Sequence, residues 1–335
     1  MVKYFNNSIV TFFLLVLTMI PSSVFAHGES VRGIGGGSVN TIGAEIPTRI
    51  SIGIRYDERR YSRFTDAEMV QFRIQGEDVH QHSKEQTLFL SAGLPISENF
   101  DLNLLLQGSK FSNFKDNGDE FATECFAASP EDSACISKTK TSMGLGDFLV
   151  MGRYQFYSKK ENELAALFGI MIPTGSVRNR VDSAQQNGKK ALLGTHNQPG
   201  SGAISFQMGG AYSGHLTEKI GVEADVLFRI NTEGAKQFQL GNSIQTDIAL
   251  SYGHHDSFII PVLELNSIFQ EKDLENNEVK RNSGGNVLYI SPGFSIKVTE
   301  KQSIYGSFSY PIWQQLGGIS NDESWRFGAG YNFVF

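Results

Sequence analysis

From about Thr48 to Phe335 apolar and polar residues alternate in stretches of roughly ten, the signature of strands that bury one face in lipid. A period of two belongs to the β-strand, whose successive side chains point to opposite sides. The final stretch shows it most clearly. Trp325, Phe327, Ala329, Tyr331, Phe333 and Phe335 share one face, and Arg326, Gly328, Gly330 and Asn332 share the other. Twelve such stretches are centred on residues 49–56, 87–96, 102–109, 147–156, 164–173, 204–212, 220–230, 244–252, 259–269, 287–298, 304–312 and 325–335.

The connections between them alternate strictly in length. Short turns fall at residues 97–101, 158–163, 213–219, 253–257 and 300–303, and longer polar segments at 57–86, 110–146, 174–203, 231–243, 270–286 and 314–323. A soluble sandwich would use the apolar face as its core, but it has no reason to sort its connections this way. A bacterial outer-membrane barrel does, with short periplasmic turns and long extracellular loops. The expected fold is therefore all-β: a transmembrane antiparallel up-and-down β-barrel of about 12 strands, with outer-membrane lipid against its apolar face and both chain ends in the periplasm. Tyr154, Phe156, Tyr212, Tyr252, Phe333 and Phe335 fall at the turn side, and Tyr56, Phe228, Phe269, Tyr310 and Trp325 at the loop side, where aromatic girdles belong. Ending on an aromatic strand at Phe335 resembles the C-terminal signal read by the barrel-assembly machinery.

The start of the chain reads as an export signal. Lys3 supplies a positive charge, residues 9–20 an apolar run shorter than a membrane span, and Val24-Phe25-Ala26 a cleavage site between Ala26 and His27. This divides the chain into a removed segment at 1–26, a Gly-rich segment at 27–47 and the barrel at 48–335. The Gly-rich segment is expected to be either a flexible tail or a plug folded into the lumen, since glycine lets backbone pack closely.

Composition adds limits. With 40% hydrophobic residues and a mean hydropathy of -0.21 the chain is too polar for a helical membrane protein, and 35 Gly against 9 Pro suits strands and turns. The net charge of −6 argues against nucleic-acid partners. Cys125 and Cys135 are the two cysteines of an exported chain and are expected to form a disulfide; a metal site is the alternative, without a nearby His to complete it.

If the apolar face meets lipid, the other lines the lumen. Its charged members are Arg49, Arg55, Asp147, Arg153, Glu223, Asp225, Arg229, Asp247, Glu264 and Arg326. Buried charges need partners or water, so these either form salt-bridged networks that brace a narrow barrel or line a wet passage. Searches for chemistry return little. Gly33 to Gly37 do not open a helix after a strand, His80 and His82 read as solvated loop residues, as do His254 and His255, and Asp116 to Glu120 lack the terminal ligand of a calcium loop. No His lies on an assigned strand to activate a Ser, so neither an enzyme nor a cofactor or metal is expected.

Several Gly-rich motifs remain: Gly144-Leu145-Gly146-Asp147 leading to Gly152-Arg153-Tyr154, Ile172-Pro173-Thr174-Gly175, Gln198-Pro199-Gly200-Ser201-Gly202, and Asn282-Ser283-Gly284-Gly285 with Tyr289-Ile290-Ser291-Pro292-Gly293. In this order they resemble the outer-membrane transporter family of the MetA pathway of phenol degradation. The resemblance implies a barrel with a role in uptake of aromatic or other hydrophobic compounds, and Asp147 is expected to bridge to Arg153. The function anticipated is passive passage of a small-molecule solute. A closed structural or adhesion barrel is the alternative, and an outer-membrane hydrolase a more distant one. On the lipid face Phe327→Arg or Leu263→Arg should impair assembly, whereas Gly328→Ser should be tolerated.

Overall fold

The computed structural model describes residues 40–118, 120–159, 162–182, 190–192, 198–253 and 257–335. The Ala26/His27 cleavage site, residues 27–39, Asp119 and the His254 and His255 pair lie outside the described residues. Among the described residues thirteen longer strand segments run β1 Ser51–Tyr61, β2 Lys84–Ser97, β3 Phe100–Asp116, β4 Ser137–Leu145, β5 Phe148–Lys159, β6 Asn162–Ile172, β7 Ser205–Thr217, β8 Ile220–Asn231, β9 Ser243–Tyr252, β10 Ile259–Gln270, β11 Gly285–Thr299, β12 Gln302–Leu316 and β13 Glu323–Val334, beside short two- and three-residue strands in the loops. Each pairs antiparallel with its neighbours, and β1 pairs with both β2 and β13, so the sheet closes on itself. β4 and β5 both lie against β3 and form two halves of one stave, which makes a twelve-strand barrel. Around the closed ring each stave has a neighbour on both sides, the condition for crossing a membrane with strands, while β4 beyond it pairs, among the described residues, with β3 alone.

The alternation sets the two faces. Ile52, Ile54, Leu88, Leu90, Phe168, Ile170, Phe206, Met208, Leu263 and Phe327 point outward and are each more than a third exposed, a belt no soluble protein presents to water. Ser51, Arg55, Thr87, Asn103, Gln207, Asp225, Glu264 and Ser307 alternate with such residues and are buried inside.

Strands run further than the sequence suggests on the loop side. β1 continues to Tyr61 and β3 to Asp116, both within segments expected to be loop, and β4 lies wholly inside the expected loop 110–146. Their outward positions there are polar: Tyr56, Glu58 and Arg60 form a ladder with Lys84 and Gln86. Beyond the apolar belt nothing requires an apolar face, so the period-two signal fades while pairing continues.

The first two long segments fold over this end. Helix α1 Asp66–Ile74 starts at Thr65, whose side chain accepts from Glu68 N while Glu68 accepts from Thr65 N, a reciprocal cap. It packs with α2 Glu120–Ala128 and the Cys125–Cys135 disulfide around Met69, Val70, Val79, Phe126 and Ile136. Across the mouth Arg281 Nη1 donates to Glu77 Oε1 at 2.8 Å and Asn282 Nδ2 to Asp78 O at 2.8 Å. The segment carrying Arg281 contains a tight hairpin whose two central residues, Asn276 and Asn277, have φ of 53° and 64°. Asparagine tolerates that left-handed backbone better than other side chains.

Candidate functional site

The lumen has three levels. In its middle lies the chain just ahead of β1: Asn40, Thr41, Ile42, Gly43 and Ala44 are buried inside the barrel. Extended backbone in an interior must find partners, and here the wall provides them. Asn40 N donates to Glu264 Oε1 at 2.9 Å, its Nδ2 donates to Glu264 Oε2, and Thr41 Oγ1 reaches Oε1 at 3.4 Å. Ile42 N donates to Asp225 Oδ1 at 3.4 Å and Ala44 N to Ser213 Oγ at 2.8 Å. In the other direction Arg55 Nη2 donates to Asn40 Oδ1, Arg153 Nη1 to Gly43 O, and Gln155 Nε2 to Ala44 O.

The charges holding this segment are themselves braced. Arg55 pairs with Asp57 through Nε at 2.5 Å and Nη2 at 3.1 Å. Arg153 grips Asp101 with both Nε and Nη2, at 2.9 and 2.8 Å, the planar fork matching the carboxylate. Asp225 and Asp247 are direct cross-strand neighbours, and Asp247 accepts from Gln245 and Asn266.

The wall is not uniformly polar. Phe89, Leu105, Leu149, Met151, Leu167, Met171 and Leu227 project inward from β2, β3, β5, β6 and β8 and form one cluster with Ile42 and Ala44. Charged residues border this apolar strip: Asp225 and Arg229 flank Leu227 on β8, and Arg153 follows Leu149 and Met151 on β5.

Near the loop end the Gly-rich motifs converge. Asp147 sits in the break between β4 and β5, where its Oδ1 accepts from Gly175 N at 2.9 Å and its Oδ2 from Ser201 N at 2.9 Å and Ser201 Oγ at 2.6 Å. The Gly175 and Gly200 backbones touch so closely that a Cβ on Gly200 would lie 2.5 Å from the Gly175 carbonyl carbon. Only glycine at both positions allows that approach. The expected bridge from Asp147 to Arg153 is therefore replaced: Asp147 ties together three loop motifs, and Arg153 pairs with Asp101.

Two cavities flank Arg59 at this level. One, of about 70 Å³, is bounded by Arg59, Tyr289, Leu316, Ile319, Glu323 and Arg326; the other, of about 60 Å³, by Arg59, Glu85, Asp147, Met171, Ser201 and Arg229.

Of the ten charged residues expected in the lumen, Arg55, Asp147, Arg153, Asp225, Arg229, Asp247, Glu264 and Arg326 are buried. Glu223 is half-buried, and Arg49 is exposed ahead of β1 instead of lining the interior. Asp57, Arg59, Glu85 and Asp101 complete the networks; the alternation misses them because its apolar face ends at Tyr56 and starts at Thr87, and Asp101 falls in an expected turn. Carrying the alternation on through Asp57, Arg59 and Tyr61 would have found two of them. His82 departs from expectation as well: it is packed against Tyr61, Phe111 and Phe114 instead of lying in water, and burial pushes its imidazole down to about 3, so it is neutral.

Comparison with known proteins agrees with this geometry. The family profile described as "Putative MetA-pathway of phenol degradation" matches residues 99–327, more than half of the chain. Among curated proteins none matches this sequence. The fold is similar to the crystal structure of the COG4313 outer membrane channel from Pseudomonas putida F1, at a TM-score of 0.58 and 14% identity, covering 87% of this chain and 97% of that one. The CymD monoaromatic hydrocarbon channel also aligns, at a TM-score of 0.43 and 9% identity over 90% of this chain and 95% of that one. The fold is thus that of an outer-membrane β-barrel.

Proposed function

We propose, for a chain that belongs to the MetA-pathway family of phenol degradation, that it passes small hydrophobic or aromatic solutes across the outer membrane by passive diffusion. The observation that carries this reading is the apolar strip inside the barrel. Seven apolar side chains line one wall from Met171, at the edge of a loop-side cavity, to the contact with Ile42. A barrel that needed only bracing could fill that wall with salt bridges. An apolar strip bordered by charged residues instead offers a path along which a hydrophobic molecule is partly desolvated without leaving the lumen.

In this reading residues 27–47 form a plug whose described end is seated on Glu264, Asp225 and Arg153. Both chain ends and the short turns face the periplasm, the long loops face outward, lipid covers the apolar belt, and Phe335 engages the assembly machinery. The rival reading is a closed barrel with a structural or adhesive role. It draws support from the same five buried residues across the lumen.

Planar-bilayer conductance and proteoliposome uptake of an aromatic solute separate the two, comparing the mature protein with one lacking residues 27–45. Flux that rises on deletion supports a plugged channel. Absence of flux in both forms overturns the transport reading.

A further inference from the structure

Arg59 and Arg326 are direct partners across the β1–β13 pair, both on the lumenal face. Like charges in that relationship repel, so such a pair is a cost that the fold itself does not require. Their carboxylates do not neutralise them evenly. Arg326 uses Nε and Nη2 on Glu323 and stacks over the Tyr289 ring with its guanidinium carbon 4.2 Å from the centroid. Its Nη1 has no hydrogen-bond partner among the described residues, although the residue is only 8% exposed. Arg59 reaches Glu85 Oε2 only at 3.6 Å, beyond hydrogen-bonding range, and that carboxylate accepts at 2.9 Å from Tyr61 Oη.

A buried guanidinium N–H without an acceptor is expensive, so the space beside it is shaped for something that supplies one. That space is the cavity of about 70 Å³ bounded by both arginines. Its other walls include Ile268, Val287, Leu316 and Ile319. A lining that combines two guanidiniums, one of them also paired with Glu323, with aliphatic side chains suits a molecule with an anionic head and a short apolar body. A planar carboxylate fits the two-pronged donor geometry of arginine.

We propose that Arg59 and Arg326 form a binding site for small organic carboxylates in the loop-side vestibule. The inference rests on the channel reading and sharpens it: the solutes admitted include weak organic acids, held by the head at the two arginines. Arg59 borders both cavities, so a carboxylate held there lies next to the start of the apolar strip at Met171.

The test is calorimetric titration of the full mature chain in detergent with butyrate, butyramide and butylamine, three four-carbon probes of similar size that differ in charge. Butyrate should bind at least about tenfold more tightly than butyramide, and butylamine should give no heat. Arg59→Gln should weaken butyrate about tenfold or more and erase its advantage over the amide. Because Arg326 also holds Glu323, Arg326→Lys serves as the second variant: it keeps the charge, removes the fork and should weaken butyrate in the same direction. Equal affinity for butyrate and butyramide, no butyrate binding, or unchanged binding in both variants overturns the proposal. Binding in detergent requires no flux, so a protein that conducts without binding butyrate defeats only this inference, and one that binds without conducting defeats only the channel reading.

Discussion

Arg55 donates through Nη2 to the side-chain carbonyl of Asn40 at 2.8 Å, joining the first strand of the barrel to the segment lying inside it. The same guanidinium is held in place by Asp57, and on the far side Glu264 accepts from both the backbone and side chain of Asn40. The segment is therefore held from several staves at once, and its release can be tested one contact at a time.

Glu264→Ala removes the acceptor for Asn40 N, Asn40 Nδ2 and Thr41 Oγ1. Hydrogen bonds to a charged acceptor contribute about 1.5–3 kcal/mol each, so the seated state should lose at least about tenfold in population. Proteolysis between residues 40 and 47 should accelerate, and bilayer conductance should rise. Unchanged proteolysis would show that Glu264 does not hold the segment.

A subtler route passes through Gly328. A Cβ there would lie 2.8 Å from Arg55 Nη2 and 2.9 Å from Asp57 Oδ1. Gly328→Ala should displace Arg55 from Asn40 and raise conductance less than Glu264→Ala does, while the barrel still forms. Heat-modifiable mobility on a denaturing gel, read beside conductance, checks both halves.

The outward neighbour behaves differently. Phe327 is 42% exposed on the apolar belt, and Phe327→Arg should cost about 2–4 kcal/mol if it lies near the middle of the bilayer. Urea titration of the protein folded in vesicles should show the loss, and so should Leu263→Arg. Tolerance of both substitutions would contradict the assignment of this face to lipid.

Removing the disulfide as Cys125→Ser with Cys135→Ser should affect the loops and leave the staves alone. The bridge closes a short loop within the cluster of Met69, Phe126 and Ile136, and such links contribute about 2–4 kcal/mol. Protease cutting within residues 117–136 should increase, with the gel mobility of the folded barrel unchanged.

Asp273 gives a pH dependence. It is buried in the segment between β10 and β11, where it accepts from Gly241 N and Gln270 Nε2 near Lys280, and burial pushes its carboxyl up to about 7. The folded loop thus binds the proton more tightly than the unfolded chain does. Its stability is greatest below the ordinary carboxylate range, falls as pH rises from about 4 to 7, and stays reduced above that. Hydrogen exchange at residues 271–284 should be faster at pH 8 than at pH 5.5 once corrected for the intrinsic rate. Asp273→Asn should remove that difference.

The staves were legible because lipid on one side and lumen on the other impose a period of two that survives in every strand. Where lipid ends, so does the signal: Glu58, Arg60 and Lys84 are polar on the outward face, and this hid the inward Arg59 and Glu85 between them. β4 was invisible for the same reason, since its pairing with β3 is set by backbone and not by an apolar face. The charged lumen residues could be read from parity. Their partners could not, because Asp147 meets Gly175 and Ser201 through loop contacts, leaving Arg153 to Asp101. The helices α1 and α2 and their shared core depend on long-range contacts that no local pattern encodes.

The buried residues 40–44 also bear on the order of assembly. Their partners sit on β1, β5, β7, β8, β10 and β12, at sequence separations of up to 267 residues. Those side chains surround a common space only after β13 has met β1. The contacts of this early stretch of chain are complete only when the ring is, so its seating and the closure of the barrel are coupled.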